Sequence, residues 1–352
     1  MKNMISSAPP DSPDAVAVSE GPLVVDVVAK PATKAASTNP WVSYLTRRLI
    51  RLVISVVVLV TAAYLMVRLL PGDPARLSLG PEATDEQIAV RRSELGLDTS
   101  VLTQYFHFWE NLFHGDLGKS YSTRLPVFDV ITQRMPATLE ISVLSIIVIL
   151  LVGIPLGMAM GEATRGGRNR WLDTMFSSVT GLLTVAPVFV VAAISIYMFA
   201  ITSPVFPVAG RSGPSSYVLP VLALSLSSTC ALARIVRAET FNVLEADYVR
   251  TGRAKRMPKS RLFFRHVLPN LVTPTLTFAG LLFGGLIAGS VFVETVFAWP
   301  GMGPVVVGSI TNRDYPLVQG IVMVYGVLIL LINLVVDLLI AAIDPRSRIT
   351  KL

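Results

Sequence analysis

Six stretches of this 352-residue sequence run apolar for about twenty residues or longer, at 49–70, 139–161, 172–201, 217–235, 271–293 and 315–343. At about 1.5 Å of rise per residue, the first of them spans roughly 33 Å as a helix, enough to cross a hydrocarbon layer about 30 Å thick. Inside that layer each segment must satisfy its own backbone hydrogen bonds, which a helix does. The expected fold is therefore all-α and polytopic, with six transmembrane helices. A composition of 52% hydrophobic residues with mean hydropathy +0.62 excludes an ordinary soluble domain. The net charge of +7 does not make a nucleic-acid binder, because the basic residues collect at the ends of apolar runs rather than on a basic domain.

Those charges set the topology. Arg47, Arg48 and Arg51 introduce the first run, RGGRNR at 165–170 follows the second, a basic segment follows the fourth, and Arg346, Arg348 and Lys351 follow the sixth. All fall on one side if the chain crosses six times, so both termini are expected in the cytoplasm. Residues 1–46, rich in Ala, Pro, Ser and Thr, read as a disordered cytoplasmic tail, and 349–352 as a second short one. Between the first two spans, 71–136 is polar enough for an external subdomain, with amphipathic helices over 85–95 and 103–113. The second, TQYFHFWENLF, is aromatic enough to lie at a membrane interface. Pro155 and Pro187 interrupt the second and third spans, and Gly280, Gly284, Gly285 and Gly289 give the fifth a surface for close helix packing.

The same reading removes several activities. Gly118-Lys119-Ser120 mimics the end of a phosphate-binding loop, but Phe113 stands where that loop requires glycine and no strand precedes it. The single Cys230 cannot form an internal disulfide or a cysteine metal site, and His107 and His114 lie among aromatics as interfacial packing residues. No GxSxG, HExxH or glycine-rich loop is present, so neither an enzyme nor a cofactor is expected. A secondary transporter would show coupling residues near mid-membrane and internal repeat symmetry, and the sequence offers neither convincingly.

Between the fourth and fifth spans lies the segment 238–270, of which 241–270 carries seven Lys/Arg (Arg250, Arg253, Lys255, Arg256, Lys259, Arg261, Arg265) against Glu245 and Asp247. A helix is expected over 243–256, a break at Pro258, and a second short helix over 259–268 with Leu262, Phe263, Val267 and Leu268 as an apolar surface. Helix, break and helix hung between spans make a knob for a cytoplasmic partner, although basic charge serving insertion topology alone would give a similar composition.

Within that segment, DYVRTGRAK at 247–255 followed by RHVLPNLVTP at 265–274 resembles the cytoplasmic docking loop of ABC importer permeases of the dipeptide, oligopeptide and nickel class. LPGDPA at 70–75, LGLD at 95–98, GDLGKS at 115–120, RMPATLE at 134–140 and ETVFAWPGMG at 294–303 also look like the B-type subunit of that class. The resemblance covers about 47–348. It implies a heterodimer with a second, homologous permease, two ABC ATPase subunits below, and an external substrate-binding protein above, with lipid around and no nucleic acid. The implied work is half of a peptide pathway, driven by ATP hydrolysed elsewhere. The implied ATPase-docking residues are Glu245, Asp247, Tyr248, Arg250, Thr251, Gly252, Ala254, Lys255, Arg265 and His266. The chain departs from the family at Arg256, where glycine is usual, and at Gly252, where alanine is usual. Because arginine resists the left-handed turns that glycine accepts, the sequence leaves this turn open.

Three polar residues near span ends are candidates for a gate or pathway. Glu294 closes the fifth span, where it can meet a binding protein, form part of an outer gate, pair with Arg313 or cap the helix. Asn333 and Asp337 lie four apart on one face of the sixth helix, where Asp337 is either a pathway carboxylate or a helix-end charge facing arginine or backbone.

Overall fold

The computed structural model describes residues 40–69, 73–80, 82–94 and 97–343, and these form thirteen α-helices with one isolated bridge, Lys119 to Pro126. The tail over 1–39, the stop at Pro71 and Gly72, Leu95 and Gly96, and 344–352 with its basic residues lie outside the described residues. Helix α1 (Pro40–Leu69) begins within the expected tail, so Arg47 and Arg48 stand inside the helix rather than before it. Helices α2 (Pro74–Leu79), α3 (Asp85–Glu94) and α4 (Val101–Phe113) follow.

Helix α5 (Val127–Ala163) starts well before its apolar run, so 127–136 is continuous with the helix of the second span. Val127, Ile131 and Met135 recur every four residues and pack on Met302, Leu317 and Ile321, while Thr132, Gln133 and Arg134 face outward. That amphipathic stripe is helical by its packing but too polar to register as a span. Pro136 and Pro155 both sit inside α5 without ending it.

The third span is not a straight helix with a flaw. Helices α6 (Arg170–Val185) and α7 (Val188–Ile196), the latter extended by a π turn through Thr202, are bent by 98°. Pro187 supplies no N–H and drives Ala186 into extended geometry (ψ 124°), which ends α6. The pair nevertheless carries the chain across. Helix α8 (Val218–Glu245) runs parallel to α5, with Tyr217 beside Glu140 at one end and Leu244 beside Arg165 at the other. Parallel neighbours require the intervening chain to return through the full thickness of the bundle.

The α5–α8 seam is a close crossing along three successive turns. Gly153, Gly157 and Gly161 meet Leu232, Ala233 with Val236, and Thr240 in turn, and a Cβ placed on Gly157 would lie 2.6 Å from the Ala233 carbonyl oxygen. The fifth-span glycines are less uniform than expected. Gly280 abuts Val336 and Gly284 abuts Ile329, but Gly285 has no neighbour within 4 Å.

Past Glu245 the expected single helix over 243–256 breaks at Ala246 (ψ 144°) and restarts as α9 (Asp247–Ala254). The expected second short helix is not separate either. Helix α10 (Lys259–Leu262) passes through a π turn, Phe263–Val267, into α11 (Leu268–Val296), making one rod over Ser260–Val296. Helix α12 (Met302–Thr311), too short to span, then leads to α13 (Tyr315–Ile343). Among the described residues, five helices are long and apolar enough to cross a membrane, and the bent pair taken as one span makes six.

The P-loop look-alike has a structural role. Asp314, fully buried before α13, accepts hydrogen bonds from Ser120 Oγ (2.6 Å), Tyr121 N (3.0 Å), Ser122 N (3.1 Å) and Leu317 N (3.4 Å). Its carboxylate thus ties the 115–126 loop to the last span, and burial pushes the neighbouring Tyr121 phenol up to about 12.

Candidate functional site

The α9 knob is built on a buried base. Leu244, Val249, Leu262, Val267 and Leu271 form one apolar cluster under it, joined by Met257. The expected apolar surface of 259–268 is therefore turned inward: Leu262 and Val267 are buried, while Phe263 and Leu268 are half-buried. Two polar ties hold the knob to α5 and its following loop. Arg165 Nη2 donates to Leu244 O (3.1 Å), and Arg253 Nη2 lies 3.5 Å from Glu162 Oε2.

Burial divides the ten sequence-selected residues. Glu245, Asp247, Tyr248, Arg250, Thr251, Ala254, Lys255 and Arg265 are exposed, whereas His266 is half-buried and Gly252 is buried against Leu262. Gly252 thus belongs to the base, where its missing side chain lets α10 approach. Partial burial pushes the Tyr248 phenol above its ordinary value. The sequence reading missed Phe264, which is exposed at the same end of the rod; an aromatic breaking the inward-facing apolar pattern is the signal that marks it.

Arg256 adopts the left-handed conformation (φ 55°) in place of the usual glycine. Arg256 N donates to Arg253 O (2.9 Å) and Met257 N to Gly252 O (3.2 Å), the paired bonds of a Schellman cap, with Pro258 preventing continuation. The turn is therefore kept at the cost of a β-carbon in the left-handed region, roughly 1 kcal/mol. Arg256→Gly is expected to stabilise the folded chain by about that amount, read as a small upward shift in thermal unfolding in detergent; a destabilised variant would overturn the cap assignment.

At the opposite end of the bundle, Glu294 is fully buried and cannot itself touch an external protein. Its Oε2 accepts from Gly303 N (2.5 Å) and its carbonyl from Trp299 N (2.8 Å), so it holds the ETVFAWPGMG turn closed rather than pairing with Arg313. Trp299 Nε1 donates to Ala137 O (3.0 Å), Met302 N to Thr138 Oγ1 (2.9 Å), and Gly210 N to Phe297 O (2.8 Å). Tyr217 stacks edge-on against Trp299 with centroids 4.8 Å apart, and its hydroxyl and Arg211 both reach Glu140, each at 2.8 Å. This hub locks α5, the segment before α8, and the α11–α12 turn together.

The third candidate pair sits at the knob's end of α13. Asp337 forms an ion pair with Arg48, and Tyr44 Oη donates to the Asp337 carbonyl (3.1 Å). Asn333 lies half-buried one turn away. Asp337 therefore faces α1, which it fastens to α13.

Residues 153–349 match the family described as the binding-protein-dependent transport system inner membrane component, and 41–142 match its N-terminal region. The chain belongs to that family. Curated relatives include the glutathione transport system permease protein GsiC of Salmonella typhimurium, 38% identical over 308 residues, covering 87% of this chain and 99% of the relative. GsiC of Escherichia coli strain K12 is 37% identical over 306 residues, with the same two coverages. Among solved structures, an inward-facing MetNI methionine ABC transporter chain aligns with a TM-score of 0.50 at 18% identity, over 61% of this chain and 96% of that one, which supports the fold alone. The protein is thus a non-catalytic, multi-pass permease subunit of an ABC importer.

Proposed function

We propose that this permease forms half of a translocation pathway for di- and oligopeptides and takes its drive from ATPase subunits through α9. The observation that carries the coupling half is the knob's construction. Val249 and Gly252 anchor α9 on a packed base, while Tyr248, Arg250 and Lys255 project from its outer side. A rigid, charged projection joined to α8 and to the α10–α11 rod transmits a push to both spans at once. The partners are two ABC ATPases on the cytoplasmic side, a second homologous permease within the membrane, and an external substrate-binding protein. Both termini lie in the cytoplasm, the side on which α9 stands. ATP binding draws the knobs together and opens the pathway outward; hydrolysis and release return it inward.

For the solute, the resemblance to the peptide and nickel class and the GsiC relatives point the same way, since glutathione is itself a tripeptide. The closed hub around Glu294 and Trp299 supports an outer gate that moves as one body, with Glu294 positioning the turn.

Copurification tests the assembly. Pulled from detergent-solubilised membranes, the chain is expected to bring ATPase activity and a second six-span protein. Elution alone, stable and without ATPase, would overturn the reading and turn attention to ion-dependent transport.

A further inference from the structure

Helix α4 has three faces, and the bundle uses one of them and the edge of a second. At about 100° per residue, Tyr105, Phe108 and Leu112 share an arc of about 60°, and Leu102, Phe106, Trp109 and Phe113 share a second of similar width. Thr103, His107, Glu110, Asn111 and His114 occupy a third, wholly polar sector. The first sector is packed. Tyr105 Oη bonds Thr61 Oγ1 at 2.7 Å, and the Tyr64 ring lies 5.2 Å from Tyr105 and 5.4 Å from Phe108. Tyr64 Oη donates to Val101 O (3.0 Å), and Arg68 binds Gln104. In the second sector Trp109 is half-buried against the cluster of Val60, Ala63 and Met323, while the rest is bare: Leu102 is 67% exposed, Phe106 63% and Phe113 80%.

The contacts fix the depth of α4. Thr61 and Tyr64 are eight and five residues before Leu69 on α1, so they lie roughly 12 and 8 Å below the end of that span. A helix fastened there stands beside lipid, not above it. The bare sector continues the exposed apolar surface of α1, which includes Val57, Val58 and Leu65, while the polar sector is turned from both.

We infer that α4 is embedded in the leaflet opposite the α9 knob, with Leu102, Phe106 and Phe113 among acyl chains and His107 and Glu110 at the headgroup boundary. Phe113 then enters the layer as a wedge beside the hinge into the 115–126 loop that Asp314 secures. An interfacial helix of this kind gains from burial of its aromatic face and from the wet edge of its polar one.

Nitroxide labels on single cysteines test this in the assembled transporter reconstituted into liposomes, in a background lacking Cys230. Collisions with dissolved oxygen are expected to exceed those with a water-soluble nickel chelate several-fold for Phe106→Cys and Phe113→Cys, and the order to reverse for His107→Cys and Glu110→Cys. Leu102→Cys, in the same sector, gives a separate reading should Phe106→Cys not assemble. Strong nickel-chelate collisions at 102, 106 and 113 would overturn the inference by placing the sector in water. Shielding from both reagents would overturn it in favour of a protein partner on that face.

Discussion

Gly157→Leu is expected to abolish recovery of folded permease, and Gly157→Ala to lower its stability by about 3 kcal/mol or more. The added Cβ would lie 2.6 Å from the Ala233 carbonyl oxygen and 2.7 Å from Val236 Cβ, and neither is the far end of a flexible side chain. Nor can α5 and α8 part locally. One turn either way, Gly153 would meet Thr229 O at 3.3 Å and Gly161 would meet Thr240 Cβ at 2.7 Å, so a shift at one contact spoils the next. In a membrane no hydrophobic driving force between helices offsets such a separation, because lipid is as apolar as the partner. Detergent thermal unfolding with size-exclusion profiles reads the outcome. Gly181→Ala is the control, since its nearest atom is an Arg234 side-chain nitrogen at 3.9 Å. Wild-type yield and unfolding temperature for Gly157→Leu would refute the seam as the organising contact.

Removing Tyr248, Arg250 and Lys255 together, each to alanine, is expected to cut uptake at least about tenfold, as loss of a central aromatic and two basic contacts does at protein interfaces. Membrane insertion and folding should remain, because all three side chains are exposed and the base formed by Leu244, Val249 and Leu262 is untouched. Uptake in vesicles and ATPase recruitment are measured side by side with protein level. Normal uptake with normal recruitment would sink the docking assignment. Loss of the protein itself would show that these side chains stabilise the fold instead. Val249→Asp behaves differently: a carboxylate forced into the apolar base should unfold the knob and reduce protein level, separating damage to the platform from damage to the contact surface.

What the sequence by itself determined is what local composition carries. A run of about twenty apolar residues is a span wherever its neighbours lie. The basic knob between the fourth and fifth spans was equally legible, because its motif is contiguous. So were α3 and α4, whose periodic patterns predict their limits to within two residues. Tertiary structure decided what depends on partners far along the chain. Pro155 and Pro187 look alike as interruptions, yet α5 passes through Pro155 while the chain bends 98° at Pro187. Around Pro155 the helix stays continuous with Gly153 and Gly157 seated on α8, whereas at Pro187 the preceding Ala186 is extended and the chain restarts as α7. The glycines of α5 carry a close crossing because Ala233 and Val236 stand opposite, a pairing across more than seventy residues that no window of sequence contains. Glu294 reads as an end-of-span charge open to an external partner, but the turn through Gly303 folds over it and consumes one oxygen. Arg256 reads as a residue that resists the left-handed turn; the Schellman bonds to Arg253 and Gly252 hold it there regardless. Hydrophobicity is a sum over neighbours in the chain, and the sequence states it directly. Bending, burial and strain are set by which surfaces meet, and that is decided only when the chain has packed.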